Sequence, residues 1–92
     1  MLLKVYSVHD IKVGAYLPPI YFRSKGEAIR AFSAAAMQTD HDFHKYASDY
    51  TLFEIGSWDD ANAKFESHLT PIPVGKALDF LSEPKQPLVL AS

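Results

Sequence analysis

The sequence predicts a small two-layer α+β domain, with one main helix packed on an antiparallel sheet in the order ββαββα. Three observations indicate this fold class. Several runs of residues alternate in polarity as strands do, stretches with helical spacing follow them, and turn-forming residues separate the runs. Hydrophobic residues make up 48% of the 92-residue chain, enough for a buried core. We expect residues 1–81 to form this single α+β domain.

The first two predicted strands lie before the main helix. Residues 2–9 alternate β-branched, aromatic and polar side chains, which is typical of a half-buried strand. Residues 10–14 carry the polar and glycine residues of a turn, and residues 15–23 form a second extended run. Because Pro18-Pro19 cannot donate ladder hydrogen bonds, the second strand should lie at a sheet edge or be broken there.

The main helix has a clear start signal. Ser24 and Glu27 have the spacing of a capping box, in which the Ser24 hydroxyl accepts from the Glu27 amide and the Glu27 carboxylate reaches back to the Ser24 amide. An apolar stripe at helical spacing follows, formed by Ala28, Ile29, Phe32, Ala35 and Ala36. A helix that lies on the sheet is therefore predicted from this point.

The polar segment at residues 39–48 is predicted to be a loop or one irregular helical turn, held by Phe43 and Tyr46. Asp40-His41-Asp42 and His44 offer possible metal ligands, but zinc sites usually need three or four protein ligands, and the remaining donors would have to come from distant histidines. A solvated polar loop without a metal is the expected structure.

The second half of the domain repeats the order of strand pair and helix. Residues 50–57 predict a strand, residues 59–62 a turn, and residues 64–70 its hairpin partner. Pro71-Ile72-Pro73 should end that partner, and residues 74–81 can form a short amphipathic helix.

Two features suggest contacts with other molecules. Residues 82–92 contain two prolines and the apolar Leu88-Val89-Leu90, and we expect a flexible or partner-docking tail. A domain of this size also buries a thin core, so homodimerisation is an expected source of further stability.

Composition excludes several functional classes. The net charge of −2 provides no global attraction to nucleic acid or to an anionic membrane, so any such binding requires a local patch. The absence of cysteine removes disulfides, thiolate nucleophiles and cysteine-based metal sites. The glycines occur singly, so no nucleotide cofactor is implied, and no stretch of the sequence resembles a signal peptide or a membrane span.

Catalytic motifs are also missing. No G-x-S-x-G motif presents a serine nucleophile, and no His-x-His pair accompanies the tyrosines as metal-dependent DNA nicking would require. The sequence therefore predicts a binding protein rather than an enzyme.

Aromatic and basic residues of the strands form the candidate binding surface, because such sheet faces hold single-stranded nucleic acid by base stacking and phosphate neutralisation. The residues predicted to face the helix are Leu3, Val5, Phe53 and Ile55. Those predicted to face away are Lys4, Tyr6, Tyr50 and Trp58. The predicted nucleic-acid-binding residues are Lys4, Tyr6, Tyr21, Arg23, Lys25, Arg30 and Trp58. The alternative is that these aromatic side chains form a second buried face, covered by the terminal helix, the tail or a second subunit.

Three phrases resemble a known family: KVYSVHD at residues 4–10, AYLPPIYFRSKGEAIRAF at residues 15–32 and DYTLFEIGSWDD at residues 49–60. They are similar to the small nonstructural protein of gokushoviruses, which are tailless single-stranded DNA phages of the Microviridae. The similarity covers about residues 2–81 and excludes the tail.

This resemblance implies a phage protein made in the host bacterial cytoplasm, absent from the virion and associated with single-stranded genome synthesis. It implies single-stranded DNA as the main partner, with viral or host replication proteins as further candidates. It carries no catalytic or binding residues over to this chain. The alternative function is a protein-interaction module that modulates a replication protein without touching DNA.

Overall fold

The computed structural model describes residues 1–81, and its α+β architecture is the one that the sequence predicts. One antiparallel sheet holds five strands in this part of the chain. The elements are β1 Leu2–Asp10, β2 Ala15–Tyr16, β3 Ile20–Phe22, α1 Lys25–Met37, α2 Asp42–Lys45, a 3-10 turn Ala47–Asp49, β4 Tyr50–Asp59, β5 Lys64–Lys76 and α3 Ala77–Leu81. The predicted order is broadly confirmed, with two short helical turns added before β4.

The central strand is β1, which pairs with β4 on one side and with both β2 and β3 on the other. The prediction that Pro18-Pro19 would break the second strand is confirmed, since these residues separate β2 from β3. The break is anchored to β1 by two hydrogen bonds. The Ser7 hydroxyl donates to the Leu17 carbonyl at 2.6 Å, and the Leu17 amide donates to the Val8 carbonyl at 2.8 Å.

Helix α1 begins at the predicted cap. Ser24 has extended backbone angles, and its hydroxyl accepts the Glu27 amide at 3.2 Å. The Glu27 carboxylate, however, accepts from the amide of Arg23 at 2.9 Å, one residue before the predicted partner. The buried residues of the helix are Ala28, Phe32 and Ala36.

The segment at residues 39–48 is held by one of the two predicted aromatic residues. The Phe43 ring packs against Phe32, with centroids 5.2 Å apart, and against Tyr50 at 4.7 Å. Tyr46 is instead 56% exposed. Of the two predicted aromatic residues, only Phe43 therefore holds this segment against the core, where Ala47 is also buried.

The face of the sheet that packs on the helices, here called the helix face, carries different residues from those predicted. Tyr6 is fully buried and Tyr50 is 9% exposed, and both belong to the core cluster with Val8, Leu52 and the buried residues of α1. The prediction that these two tyrosines face away from the helix is wrong. Both faces of β1 carry large buried side chains, Val5 on one and Tyr6 on the other, so the alternation along the strand does not indicate which face meets the helices.

A β-bulge in β4 changes the alternation of that strand. Val5 pairs with Gly56 and Tyr6 pairs with Glu54, so Ile55 is the extra residue. Gly56 is needed beside the bulge, because a Cβ atom at this position would overlap the carbonyl oxygen of Glu66 in the neighbouring strand.

The bulge separates two residues that were predicted to share a face. In a regular strand, Trp58 would lie on the same side as Tyr50, which is eight residues earlier. The extra residue reverses the alternation, so Trp58 lies directly opposite Leu3 on the other side of the sheet. Of the predictions for Tyr50 and Trp58, the one that Trp58 faces away from the helices is therefore correct, and the one for Tyr50 is wrong.

Strand β5 continues past the prolines that were predicted to end it, and α3 is correspondingly shorter than residues 74–81. Within the described residues β5 pairs only with β4, and an edge strand tolerates proline because it needs ladder hydrogen bonds on one side only. Residues 68–71 lie between the pairs that Ser67 and Ile72 form with β4. The predicted tail at residues 82–92 lies outside the described residues.

Candidate nucleic-acid interface

The face of the sheet opposite the helix face, here called the open face, carries most of the strand aromatic residues. Residues directly opposite each other in an antiparallel pair share a face. The register places Leu3 opposite Trp58, Val5 opposite Tyr21, and Ser7 opposite Phe53. It also places His9 opposite Tyr16 and Trp58 opposite Phe65. Strands from every part of the sheet therefore contribute to this face.

Three of these residues, Tyr21, Trp58 and Phe65, form the Trp58 group. Their ring centroids are 6.2 to 6.3 Å apart, and all three pairs meet edge to face. Tyr21 and Phe65 are 43% and 45% exposed, and Trp58 is half-buried between strand partners. The group presents aromatic surface to solvent while its own contacts hold the rings in place.

A second set, here called the Tyr16 group, consists of His9, Tyr16 and Phe53. The His9 and Tyr16 rings are 4.6 Å apart, and Phe53 meets Tyr16 at 5.6 Å and His9 at 6.3 Å. Tyr16 is 46% exposed, and the other two residues are half-buried. The open face thus has two separate aromatic groups.

The carboxylates of the strands lie on the other face. Asp10 is opposite Tyr50, Glu54 is opposite Tyr6, and both partners are buried beneath the helices. By the same register, Asp59 and Glu66 also fall on the helix face. Among the paired strand residues of the described chain, the open face carries no aspartate or glutamate. Because the strand carboxylates lie on the helix face, the open face is less acidic than the net charge of the chain suggests.

The hairpin turn between β4 and β5 fixes the pairing of Trp58 with Phe65. The Asp59 carboxylate accepts from the Ala61 amide and from the Asn62 side chain, both at 3.0 Å. These hydrogen bonds hold the pKa of Asp59 below its usual range. The predicted turn is therefore confirmed, and it sets the register that places Phe65 on the open face.

The predicted binding residues do not all share one surface. Tyr21 and Trp58 are together in the Trp58 group. Arg23 precedes α1 by two residues, Lys25 and Arg30 lie on the helix, and all three are exposed. Tyr6 and Lys4 lie on the helix face, where they contact Glu54. Phe65 and the Tyr16 group were missed, although Gly56 signals a bulge and the turn at residues 59–62 indicates the hairpin register.

The polar cluster on the helix face surrounds the Glu54 carboxylate. It accepts from the Tyr6 hydroxyl at 3.2 Å, and it lies 2.8 Å from His68 Nε2 and 3.6 Å from Lys4 Nζ. Burial alone would raise the pKa of Glu54, but the hydrogen bonds from His68 and Tyr6 and the charge of Lys4 together lower it. Glu54 is thus an internally paired carboxylate and does not oppose phosphate on the open face.

The same cluster makes Tyr6 a poor nucleophile. Burial, with the negative charge of Glu54 and the hydrogen bond to it, raises the pKa of Tyr6 to about 12. An activated nucleophile requires the opposite shift. The geometry at Tyr6 therefore disfavours tyrosine-based strand cleavage at this position.

The histidines of the polar segment have structural partners. The His41 ring accepts from the Phe43 amide at 3.0 Å, which caps α2, and His44 Nδ1 lies 3.0 Å from the Ala36 carbonyl. Within residues 1–81, no group of three or more His, Cys, Asp or Glu side chains could hold a metal ion.

The match to a family of known proteins covers nearly all of this structure. The sequence matches the family described as Phage ORF5 protein over residues 3–80, from β1 into α3. The chain belongs to this family. No curated protein and no solved structure matches it. The expectation of a phage protein is therefore confirmed for this Phage ORF5 family member, whereas its origin in gokushoviruses and its role in DNA synthesis stay predictions.

The helices of this Phage ORF5 family member are short. None of those in the described part of the chain is long and apolar enough to cross a membrane.

Proposed function

We propose that this Phage ORF5 family member is a nonstructural protein of a gokushovirus that binds single-stranded DNA during genome synthesis and catalyses no reaction. The open face is the proposed binding surface. The observation that carries the proposal is a sheet face that no helix covers within the described residues and that presents two partly exposed aromatic groups and no strand carboxylate. Sheet faces of this kind hold single strands by stacking bases on aromatic rings.

The stacking surface is provided by Tyr16, Tyr21 and Phe65, which are each more than 40% exposed. A base stacked on an aromatic ring contributes about 1–3 kcal/mol, and every base has a π-face, so binding of this kind tolerates different sequences. The net charge of −2 does not argue against it, because the strand carboxylates lie on the helix face. We expect this surface to bind single strands rather than duplexes, because the bases of a single strand are free to stack on the rings.

Phosphate contacts are proposed for Arg23 and Lys25, which are exposed. Arg30 is no longer part of the proposed surface, because it lies on α1 between the buried Ala28 and Phe32 and therefore faces away from the sheet. Arg23 follows Tyr21 by two residues, and the chain then enters α1 at Lys25. The basic side chains therefore begin next to the Trp58 group. Lys4 and Tyr6 are no longer part of the proposed surface, because they pair with Glu54 on the helix face.

The test is fluorescence anisotropy with a labelled oligothymidylate at low salt. We expect binding that weakens with salt, as phosphate contacts require. Tyr21→Leu should weaken binding about tenfold, since it removes one stacking ring. Tyr46→Leu is the matched control, because Tyr46 is a similarly exposed tyrosine at the end of α2. Absence of binding, or an equal loss in both variants, would refute the proposal.

The basic residues are tested with the double variant Arg23→Ala, Lys25→Ala. It should weaken binding and also reduce the slope of the logarithm of affinity against the logarithm of salt concentration by about 1–2, since each phosphate contact releases about one counterion. An unchanged slope would remove these residues from the interface while leaving the stacking surface in place.

The second candidate is a protein-interaction module that binds a viral or host replication protein, or a second copy of this chain. Leu69 is fully exposed and Ile72 is 48% exposed on β5, a strand that has only β4 as a neighbour in the described chain. Exposed apolar side chains on an edge strand favour protein contacts. Sedimentation and a pull-down with Leu69→Ser would identify this function, provided that the variant loses the partner and DNA binding is absent.

A further inference from the structure

The two aromatic groups lie at different positions along one strand, β1. Tyr21 of the Trp58 group is opposite Val5, and Tyr16 of the other group is opposite His9. Four residues of an antiparallel strand span about 13 Å. The backbone positions that carry the two exposed tyrosines are therefore about 13 Å apart along β1, and the two groups follow each other along the open face.

The surface between the two groups is different in character. Ser7 is the open-face residue of β1 between Val5 and His9, and it is 1% exposed, with its hydroxyl donating to the Leu17 carbonyl. Its cross-strand neighbour Phe53 belongs to the Tyr16 group. Stacking surface is thus concentrated at the two groups rather than spread evenly along the strand.

From this spacing we infer that the open face holds one DNA strand at two stacking positions, the Trp58 group and the Tyr16 group, and that a strand must be long enough to reach both. This inference rests on the proposed function. A single strand with duplex-like stacking advances about 3.4 Å per nucleotide, so bases about 13 Å apart are about four steps apart. A more extended strand reaches both groups with fewer nucleotides. The shortest strand that reaches both groups therefore has about three to five nucleotides.

The inference assigns roles to residues that sequence reasoning missed. Tyr16 provides the exposed ring of the second position, and His9 and Phe53 hold it in place through ring contacts. Once one base occupies the first position, a second base of the same strand reaches the second position at a high effective concentration. Affinity should therefore rise in a step, rather than evenly, as the strand lengthens.

The experiment measures the affinity of the whole chain for oligothymidylates of about two to eight nucleotides. The wild-type protein should show a step of about tenfold or more at a length of about three to five nucleotides. Tyr16→Leu should abolish the step, because strands of every length then stack at the Trp58 group alone. Tyr46→Leu should retain the step, and circular dichroism should show that both variants are folded.

The outcomes separate this inference from the proposed function. A smooth rise in affinity with length, or a step that persists in Tyr16→Leu, would overturn the two-position site but leave DNA binding intact. No binding at any length would overturn both. A step in the wild-type protein that disappears in Tyr16→Leu and in Tyr21→Leu, but not in the control, would support the site.

Discussion

Replacing Gly56 with alanine tests the bulge that positions Trp58. Gly56 is buried, and a Cβ atom there would overlap the Glu66 carbonyl oxygen and lie 3.1 Å from the Ser67 Cα. Both contacts are to backbone atoms of β5, which cannot move aside as a flexible side chain could. The two strands must therefore separate at the bulge to admit the methyl group.

The expected loss of stability follows from two opposing contributions. Overpacking costs about 1–3 kcal/mol, and the rigid backbone at this position indicates the upper end. Alanine recovers up to about 1 kcal/mol by restricting the unfolded chain. The net destabilisation is about 2 kcal/mol, which for a domain of this size lowers the melting temperature by roughly 8–16 °C.

The assay is thermal unfolding followed by circular dichroism, together with the fluorescence of Trp58, the single tryptophan of the sequence. Gly26→Ala is the control, because the nearest atom to its new Cβ would be the Ser24 hydroxyl oxygen at 3.9 Å. An exposed alanine in a helix should raise stability by about 0.5 kcal/mol. A melting temperature for Gly56→Ala equal to that of the wild-type protein or higher would refute the account of the bulge.

Three further predictions concern the cap and the Glu54 cluster. Ser24→Ala should lower the free energy of unfolding in urea by about 1 kcal/mol, because the Glu27 amide loses its acceptor, whereas Ser33→Ala within the same helix should be nearly neutral. Because the pKa of Glu54 is lowered in the folded state, its stabilising contribution is present above about pH 4.5 and is lost on acidification, so Glu54→Gln should flatten the acid limb of stability against pH. An acid limb identical to that of the wild type would contradict this. Because the pKa of Tyr6 is raised from 10.0 to about 12, stability should fall between these pH values, and this fall should be smaller in Tyr6→Phe.

Local sequence signals predicted the features that depend on neighbouring residues. The Ser24 cap follows from a hydrogen bond between residues three positions apart. Pro18-Pro19 breaks a strand because proline has no amide hydrogen to donate to a neighbouring strand, and this effect depends on the two prolines alone. Pro71 and Pro73 failed as a stop signal, since proline is tolerated in a strand that pairs on one side, and the edge position of β5 is a property of the whole sheet.

The candidate site was only partly predictable for a related reason. Tyr21 and Trp58 were assigned to the binding surface and do lie on the open face, but Tyr6 was assigned to it and is buried. Both faces of β1 carry large apolar side chains, such as Val5 on one side and Tyr6 on the other. Their alternation therefore does not indicate which side meets the helices.

The sequence by itself determined the α+β class, the place where the main helix starts and the alternation of side chains along β1, because these depend on contacts between residues close in the chain. Tertiary structure decided which set of side chains meets the helices, because Tyr6 and Tyr50 join the buried residues of α1 in one core cluster. It also decided the face of Trp58, because the pairing of β4 with β1 fixes Ile55 as the extra residue, whereas Gly56 in the sequence indicates only that a bulge is favoured nearby. A face depends on the pairing of distant strands, and a single added residue reverses it.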